Sequence, residues 1–298
     1  MNEKTAQFSL RGLFQPRDLT EGTPWKTILA FALPIIISYL LQQVYTISDA
    51  AIVGQTLTAG EVAGVNDTTS IIFIFLQFAF GVSAGFCVVT AAEVGAHHEA
   101  GVRRSLAAQI LLSAALTVRL TGLALLLLKP MLAWINVTPE SPEVYRAAHT
   151  YCAIIFAGIG AQLFYNFICS FLRSMGDSVT PLLFLLFSTI LNIGLDLLFI
   201  VSFHWGVAGA AIATVTAQLI STVGCFLYAF IKYPKLRLHR EDWQVTLGDM
   251  RRHLGQGIPL GLQFSVLAIG IIVMQSVVRY PGGGDDLQRG AEWLWRGE

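Results

Sequence analysis

The sequence predicts an all-α membrane protein, a polytopic helix bundle with one six-helix lobe and the first helix of a second lobe. Of the 298 residues, 54% are apolar and only 13% are charged, and the mean hydropathy is +0.63. The apolar residues gather in seven stretches, each close to the roughly 20 residues that a helix needs to cross a bilayer. The connections between these stretches are short, so the helices are expected to pack as one bundle.

The predicted spans begin after a polar N-terminal tail, residues 1–24. This tail contains Lys4, Arg11 and Arg17 and lacks the apolar core of a signal peptide, so we interpret it as a cytoplasmic tail. In chain order the spans are 28–52, 68–92, 106–128, 148–171, 180–202, 207–231 and 255–278.

A long basic connection separates the sixth span from the seventh. Residues 233–254 are predicted to be a cytoplasmic linker between the six-helix lobe, 25–232, and the first helix of the second lobe, 255–278. The seventh span contains Pro259 a few residues after its start, as the first span contains Pro34. A repeated opening at this distance indicates the internal repeat that is common in secondary transporters.

The composition changes at residues 279–298, where glycines, charges and tryptophans replace the apolar pattern. No further spans follow this atypical tail in the sequence. We therefore expect a frameshift or truncation after the seventh helix, with most of the second lobe missing from the chain.

The distribution of Lys and Arg between the connections predicts the orientation. If the N-terminus is cytoplasmic, the outer connections contain only Lys129 and Arg146, whereas most other basic residues lie in inner segments. Because cytoplasmic connections are enriched in Lys and Arg, this bias predicts a multi-pass protein of the cell (inner) membrane with its N-terminus in the cytoplasm.

Bulk charge and cysteine usage exclude several kinds of partner. The formal net charge is zero, so no basic surface attracts nucleic acid. The four cysteines all lie in apolar stretches and show neither a CxxC pair nor the spacing of a zinc site. We interpret them as small buried side chains.

Asp196 stands within the apolar run NIGLDLLFI, residues 192–200. An ionised carboxylate is costly in hydrocarbon, so Asp196 is expected to face the bundle interior. Thr189, Asn192 and Asp196 recur at i, i+3 and i+7 and so share one helical face. Asn192 can donate to the charged carboxylate or accept from the protonated one, so the stripe tolerates both states.

Three other predicted spans also carry polar side chains at helical spacing, and the simplest packing directs all four stripes toward a shared cavity. In the first span, Gln42, Tyr45 and Asp49 are spaced like the residues around Asp196. The residues predicted to line the cavity are Gln42, Tyr45, Gln162, Tyr165, Asn166, Thr189 and Gln218. The residues predicted to bind a coupling cation are Asp49, Asn192 and Asp196.

Polar side chains in membrane helices also act as simple contacts between helices, worth about 0.6 kcal/mol each. That interpretation stays open for four of them, Thr189, Thr214, Gln218 and Ser221. It fits Asp196 poorly, because an amide would bond a neighbour without the desolvation cost of a carboxylate. Asp49 lies nearer the end of its span, where a capping or solvated role is open.

A carboxylate inside a helix bundle can bind and release a proton or hold a monovalent cation as the cavity opens to one side and then the other. It also offers a counter-charge to an organic cation. We predict no organic cofactor and no metal, apart from Na⁺ at Asp49, Asn192 and Asp196 as the alternative to H⁺. Arg119, in the third span, could pair with Asp196 or Glu93 or extend to an interface.

Five segments, in order, resemble the multidrug and toxic compound extrusion (MATE) transporters. They are ALPIIISYLLQQVYTISDAAIVGQTL (32–57), LRSMGDSVTP (172–181), LNIGLDLLFI (191–200) with WGVAGAAIATVTAQ (205–218), and GIPLGLQ (257–263). Together they cover roughly residues 24–278.

The resemblance implies twelve helices in two six-helix lobes, no enzymatic activity, and export of organic, often cationic compounds in exchange for H⁺ or Na⁺. It assigns Asp49 to the acid of the first helix, and Asn192 with Asp196 to the coupling pair of the fifth. The chain departs from the pattern because it holds one lobe and about one helix of the second. We therefore expect weak or no activity unless another fragment completes it.

Two other functions share some of these features. A lipid-linked oligosaccharide flippase of the same superfamily would have the same repeats but a more basic cavity, and Arg119 is the only basic residue deep in a span. An intramembrane aspartyl protease needs two aspartates close enough to share a proton. Asp49 and Asp196 are predicted to lie at different depths, and the chain reads NIGLD where that family has GxGD.

Overall fold

The computed structural model describes residues 23–279, which form a bundle of helices and contain no strand. The first half consists of α1 (Pro24–Thr56), α2 (Ala59–Gly95), α3 (Glu99–Leu126), the short α4 (Leu128–Trp134) and α5 (Pro142–Ala157). The second half consists of α6 (Ile159–Ser174), α7 (Val179–Asp196), a π-helical turn (Leu197–Ser202), α8 (Gly206–Lys232), two 3₁₀ turns (Pro234–Leu236 and Arg240–Trp243) and α9 (Leu247–Arg279). Nearly all of the predicted tails, 1–24 and 279–298, lies outside the described residues.

The predicted all-α membrane fold is confirmed. Six helical segments are long and apolar enough to cross a bilayer, and a bent pair, α5 with α6, makes a seventh span. The two helices of this pair meet at Gly158 with a bend of 45°. Val215 of α8 packs where a side chain on Gly158 would lie, so glycine permits the close approach at the bend.

Two helices begin at caps that the hydropathy pattern does not show. At the start of α2, Thr58 and Glu61 exchange hydrogen bonds in a capping box. Thr246 and Asp249 make the same exchange at the start of α9. As a result, α9 begins at Leu247 within the predicted linker, 233–254, and the rest of that linker contains the 3₁₀ turns.

The helix ends gather at two opposite ends of the bundle. The connections 57–58, 127–141 and 203–205 form what we call the Thr58 end, where the Thr58 hydroxyl donates to Glu143 over 2.6 Å. The connections 96–98, 175–178 and 233–246 form the Asp177 end. There Lys232 pairs with Asp177 at 2.8 Å and Arg103 with Asp242 at 3.2 Å. Each span therefore runs from one end to the other.

The largest apolar core lies between α2, α3, α4, α5 and α6. Its fully buried members include Ala79, Leu132, Phe156 and Leu163. Phe156 also contacts Phe75, with ring centroids 5.0 Å apart. Phe75 therefore packs against this core.

Helix α9 packs along α2 through glycines on both helices. Gly81 and Gly85, one turn apart on α2, lie against the backbone of Gly261 and Gly257 on α9. Small residues at i and i+4 let two membrane helices approach closely enough for backbone contact. The segments GVSAG (81–85) and GIPLG (257–261) thus join the first helix after the linker to the six-helix lobe.

A buried polar network reinforces this junction near the Asp177 end. His253 of α9 is 2% exposed. Its Nε2 lies 2.8 Å from the Ser105 hydroxyl of α3, which in turn contacts the Thr90 hydroxyl of α2 at 2.8 Å. Gln109 donates to both Ser105 and Thr90. Because each member has a partner inside the protein, the network binds three helices together without leaving a buried polar group unpaired.

Candidate functional site

The carboxylate of Asp196 lies at the end of α7, directly before the π-helical turn Leu197–Ser202. Both Asp196 and Asn192 are 0% exposed, and neither side chain has a conventional hydrogen-bond partner among the described residues. Thr189 also lies on this face, but its hydroxyl donates to the Leu185 carbonyl at 2.9 Å. The predicted stripe is therefore buried, with its amide and carboxyl groups available to a ligand. A π-helical turn beside such a group is a feature often found at functional sites.

Asp49 of α1 faces Asp196, and the two carboxyl groups lie within hydrogen-bonding contact. Two ionised carboxylates only accept hydrogen bonds, so this contact becomes a hydrogen bond when one carboxyl group carries a proton. The prediction that the two acids lie at different depths is wrong. Asp49 precedes the end of α1 at Thr56, and Asp196 precedes the end of its span at Ser202, so both lie about two turns from the Thr58 end.

Two tyrosines and a threonine complete the surroundings of the acid pair. The Tyr45 hydroxyl of α1 faces the Thr214 hydroxyl of α8 and interacts with both carboxyl groups. Tyr151 of α5 interacts with Asp49, Asp196 and Tyr45. Four helices thus contribute to one group of polar side chains, which we call the acid cluster: Tyr45, Asp49, Tyr151, Asn192, Asp196 and Thr214.

Several polar atoms on these helices are buried without a conventional hydrogen-bond partner in residues 23–279. They belong to Asp49, Asn192, Asp196, Thr214, Gln218 and Ser221, from α1, α7 and α8. Buried polar groups in folded proteins are normally hydrogen-bonded, so these side chains are candidates for binding an ion, water or ligand. The side chains that make up the acid cluster include two carboxyl groups and no basic group. Its chemistry therefore fits a proton, a monovalent cation or an organic cation.

The sequence prediction missed Tyr151 and left Thr214 among simple helix contacts. Tyr151 belongs to no polar stripe; α5 packs mainly against α2 and α8, and only the folded bundle brings its Tyr151 into the electrostatic surroundings of the acids. Thr214 stands one turn before Gln218, and that spacing already placed it on the predicted stripe of its helix.

The other predicted cavity residues do not all join the acid cluster. Tyr165 is buried in a separate group with Cys169 and Cys225, where it contacts the Cys169 thiol. Gln42 is exposed on α1, and Gln162 and Asn166 are partly exposed on α6. Among the described residues, no hydrogen bond connects these three side chains to the acid pair.

Arg119 does not take either of the partners considered for it. It is exposed on α3 and forms no ion pair with a described residue. Glu93 instead pairs with Arg252 at 2.6 Å and with His98 at 2.8 Å. Arg119 is thus exposed on α3 and is not among the groups that interact with Asp49 or Asp196.

Comparison with known proteins decides the family. The MatE family model matches residues 34–198, more than half of the chain, and this range includes both acids of the pair. The chain belongs to the MatE family. The family consists of transporters and not enzymes, so the aspartyl protease alternative is excluded although the two aspartates meet.

Relatives of the MatE chain include the probable multidrug resistance protein YpnP of Bacillus subtilis, which is 31% identical over 271 residues. That alignment covers 89% of this chain and 58% of YpnP. The probable multidrug resistance protein NorM of Thermotoga maritima is 25% identical, with 86% of this chain and 55% of NorM covered. The chain therefore spans less than two thirds of the length of these relatives.

Solved structures show the same fold. An outward-facing multidrug resistance MATE transporter of the MOP superfamily superposes with a TM-score of 0.80 at 24% identity, covering 92% of this chain and 60% of that chain. A MOP-superfamily transporter from Pyrococcus furiosus gives a TM-score of 0.79 at 24% identity, with 93% and 61% covered. The helix bundle of the MatE chain is thus the MATE architecture over the length that it spans.

Proposed function

We propose that the chain acts in a multidrug efflux transporter that exports organic, often cationic compounds in exchange for H⁺ or Na⁺. The relatives are named multidrug resistance proteins, and the match extends over most of this chain. Because the chain covers little more than half of each relative, their activity is carried over as a proposal. The additional length of the relatives would supply the second lobe and the other wall of the cavity.

The observation that carries this proposal is the facing pair of Asp49 and Asp196 without a basic partner. Two adjacent carboxylates cannot both stay ionised cheaply in a low-dielectric site. The pair is therefore stabilised by whichever positive ion enters, a proton on one carboxyl group or Na⁺ between the carboxylates and the Asn192 amide oxygen. An organic cation would compete for the same negative charge.

Such competition gives a coupling mechanism. When the cavity is open to the cytoplasm, the ionised pair binds an organic cation. When it is open to the outside, H⁺ or Na⁺ neutralises the pair and the organic cation leaves. The facing hydroxyl groups of Tyr45 and Thr214 lie beside the two carboxyl groups and would orient them for the incoming ion. Each ligand shifts the conformational equilibrium only by its difference in affinity for the two states.

The charge distribution supports a cytoplasmic N-terminus. In the described residues, the Asp177 end contains most of the basic side chains, including Arg103, Arg104, Lys232, Arg251 and Arg252. The Thr58 end contains only Lys129 and Arg146. By the positive-inside rule, the Asp177 end would face the cytoplasm of a cell membrane, and α1 would start from that side.

The flippase alternative gains no support from the acid cluster. A cavity for a lipid-linked pyrophosphate needs basic side chains, whereas Arg119 lies on the outer surface and the cluster contains two acids. An organic cation is the better match to this charge.

Asp196→Asn tests the proposal in the purified 298-residue chain. Isothermal titration calorimetry would measure the binding of tetraphenylphosphonium, an organic cation, over a series of pH values and Na⁺ concentrations. The wild-type chain is expected to bind the cation and to lose it as pH falls or Na⁺ rises. Asp196→Asn is expected to bind more weakly and without that ion dependence, because the amide cannot ionise.

Glu140→Gln is the matched control, since Glu140 is an exposed acid remote from the cluster. Its binding and ion dependence should equal those of the wild type. Asp196→Asn should melt at the same temperature as the wild type or higher, because it removes a buried charge without a basic partner. An unchanged ion dependence in folded Asp196→Asn, or no cation binding by the wild type, would contradict the proposal.

A further inference from the structure

A basic cavity lies at the Thr58 end, apart from the acid cluster. Its volume is about 380 Å³, and Lys129, Tyr145, Arg146, His149 and Thr150 line it together with two prolines. Three of these side chains are basic and none is acidic. Among the described residues, Lys129 in the connection 127–141 and Arg146 near the start of α5 are the only lysine and arginine at this end. The lysine and the arginine of this end therefore line the same cavity.

The basic groups of this cavity have acidic neighbours but no ion-pair partner among the described residues. Neither Lys129 nor Arg146 forms an ion pair with a described residue. Glu140 is exposed in the loop between the lining residues Pro139 and Pro142, and Glu61 and Glu143 line an adjoining cavity of about 550 Å³ that shares Arg146. The carboxylates of Glu61 and Glu143 accept hydrogen bonds from Thr58, at 3.1 Å to Glu61 and 2.6 Å to Glu143, and neither forms an ion pair with Arg146.

The local backbone adds positive potential. Helix α5 starts at Pro142, which lines the cavity, and its N-cap Ser141 makes no side-chain capping bond. The first backbone N–H groups of a helix have no partner within it and carry the positive end of the helix dipole. They lie beside the three basic side chains, so helix and side chains favour the same sign of ligand.

The cavity also lies at a level that suits a lipid headgroup. Trp134, in the helix that carries Lys129, is 80% exposed, and Trp205, which lines the adjoining cavity, is 48% exposed. Exposed tryptophans at span ends mark the interface between hydrocarbon and headgroups. Lysine and arginine at this depth extend their charged groups toward the same layer.

We propose that the basic cavity formed by Lys129, Arg146 and His149 binds the phosphate group of a membrane phospholipid headgroup. Arg146 presents the planar fork of donors that matches phosphate oxygens, and Lys129 adds a point charge. The hydroxyl groups of Tyr145 and Thr150 are additional donors at the wall. This site is independent of the proposed ion and drug coupling, because it shares no residue with the acid cluster.

Native mass spectrometry of the purified full chain tests this site. Phosphatidylglycerol would be titrated against diacylglycerol with the same acyl chains, which lacks the phosphate. The wild type is expected to retain phosphatidylglycerol and little diacylglycerol. Lys129→Gln and Arg146→Gln should each weaken phosphatidylglycerol binding about fivefold, and the double variant about 25-fold, as expected for about 1 kcal/mol per basic residue near a membrane surface.

Arg251→Gln is the matched control, because Arg251 is exposed at the opposite end of the bundle. It should bind phosphatidylglycerol as the wild type does. Arg146→Lys keeps the charge but loses the fork, so its affinity should fall between those of the wild type and Arg146→Gln. Melting temperatures without lipid identify any variant that fails to fold. If Arg146→Gln fails to fold, the lipid affinity of Arg146→Lys is compared with that of the wild type instead.

Inorganic phosphate distinguishes the source of the ligand. If millimolar phosphate leaves the phosphatidylglycerol adduct intact, the site takes a lipid. If phosphate displaces the adduct and raises the melting temperature of the wild type but not of the double variant, the basic cavity binds a soluble phosphate anion and not a lipid headgroup. Equal binding by the wild type and the double variant, equal retention of diacylglycerol, or an equal loss in Arg251→Gln would overturn the proposal.

Discussion

Asp177 is the residue on which the connections at the Asp177 end converge. Its carboxylate accepts hydrogen bonds from the Thr180 backbone at 3.0 Å and the Thr180 hydroxyl at 2.7 Å. The Lys232 ammonium at 2.8 Å and the Tyr233 hydroxyl at 2.7 Å also donate to it. Burial alone would raise the pKa of Asp177, but these donors outweigh it and hold the pKa below its usual value. The charged form of Asp177 therefore stabilises the junction of α6, α7 and α8.

Asp177→Asn is expected to destabilise the folded chain by about 2–3 kcal/mol at neutral pH, because charge-assisted bonds to a buried carboxylate are lost. A carboxyl group whose pKa is lowered by folding contributes stability above its unfolded pKa of about 3.9, and that contribution is lost as pH falls through the folded value. The difference between wild type and variant should therefore be full at pH 6–7 and shrink below about pH 4. Thermal unfolding in detergent at several pH values measures it.

A double-mutant cycle with Lys232→Met checks the assignment. If the Asp177 and Lys232 charges act together, the double variant should be less destabilised than the sum of the two single variants. A destabilisation by Asp177→Asn that stays constant from pH 7 to pH 3 would contradict the role of the ionised carboxylate.

At the acid cluster, the sequence predicted the two acids but not their meeting. The cost of a carboxylate in hydrocarbon singles out Asp196 from one span alone. The depth of Asp49 depends on where α1 ends, and the helix runs to Thr56, beyond the predicted boundary at residue 52. Tyr151 was not predicted because a tyrosine in an apolar helix gives no periodic signal; only the packing of α5 places it beside the acids.

Among the elements, α2 and α9 show how closely two helices of this bundle can approach. A Cβ atom added to Gly85 would lie 2.6 Å from the backbone of Gly257, and one added to Gly81 would lie 2.7 Å from the Leu260 carbonyl oxygen. Such contacts are shorter than real Cβ atoms show. The backbones can touch only because both positions are glycine, and this contact brings His253 to Ser105.

Gly85→Leu is expected to force α9 away from α2 and to destabilise the chain by about 1–3 kcal/mol through overpacking. Hydrogen exchange in residues 247–279 should become faster, because the contact that protects this helix is lost. Gly270→Leu is the matched control: Gly270 lies on the same α9, and nothing lies within 4 Å of a Cβ placed there. This variant should be as stable as the wild type or slightly more so, since leucine favours a helix over glycine by about 0.8 kcal/mol. Equal effects of the two substitutions would show that helix α9 does not depend on close contact with α2.

The sequence predicted the helices well and their junctions less well. Hydropathy locates spans because each must be apolar over the bilayer thickness, and the structure confirms seven when the bent pair counts as one. Hydropathy does not register the bend at Gly158, which depends on Val215 of a helix far along the chain. It also does not register the start of α9, because the Thr246 and Asp249 cap is a hydrogen-bond feature in a polar segment.

Over the whole molecule, the two ends of the bundle differ in charge and in structure. The Asp177 end has several basic side chains held in ion pairs, such as Arg103 with Asp242 and Lys232 with Asp177. Burial alone would raise the pKa of Asp242. Hydrogen bonds from His239 and the charge of Arg103 outweigh burial and hold this pKa below its usual value, so the pair with Arg103 is charged at neutral pH. In the part of the chain that the structure describes, the only lysine and arginine at the Thr58 end are Lys129 and Arg146, both in the basic cavity. The proposed orientation, with the Asp177 end in the cytoplasm, rests on this difference in basic side chains.

Cysteine labelling tests that orientation on intact cells. The four native cysteines are buried, so a membrane-impermeant maleimide should react little with the wild type. A cysteine replacing Glu140, exposed at the Thr58 end, should be labelled from outside, whereas one replacing Arg240, exposed at the Asp177 end, should react only after the cells are opened. For each variant, the label incorporated in intact cells is divided by the label incorporated in opened cells. This ratio does not depend on the expression level. The reverse pattern would place Lys129 and Arg146 in the cytoplasm and the basic end outside, and it would contradict the entry of H⁺ or Na⁺ from the Thr58 end.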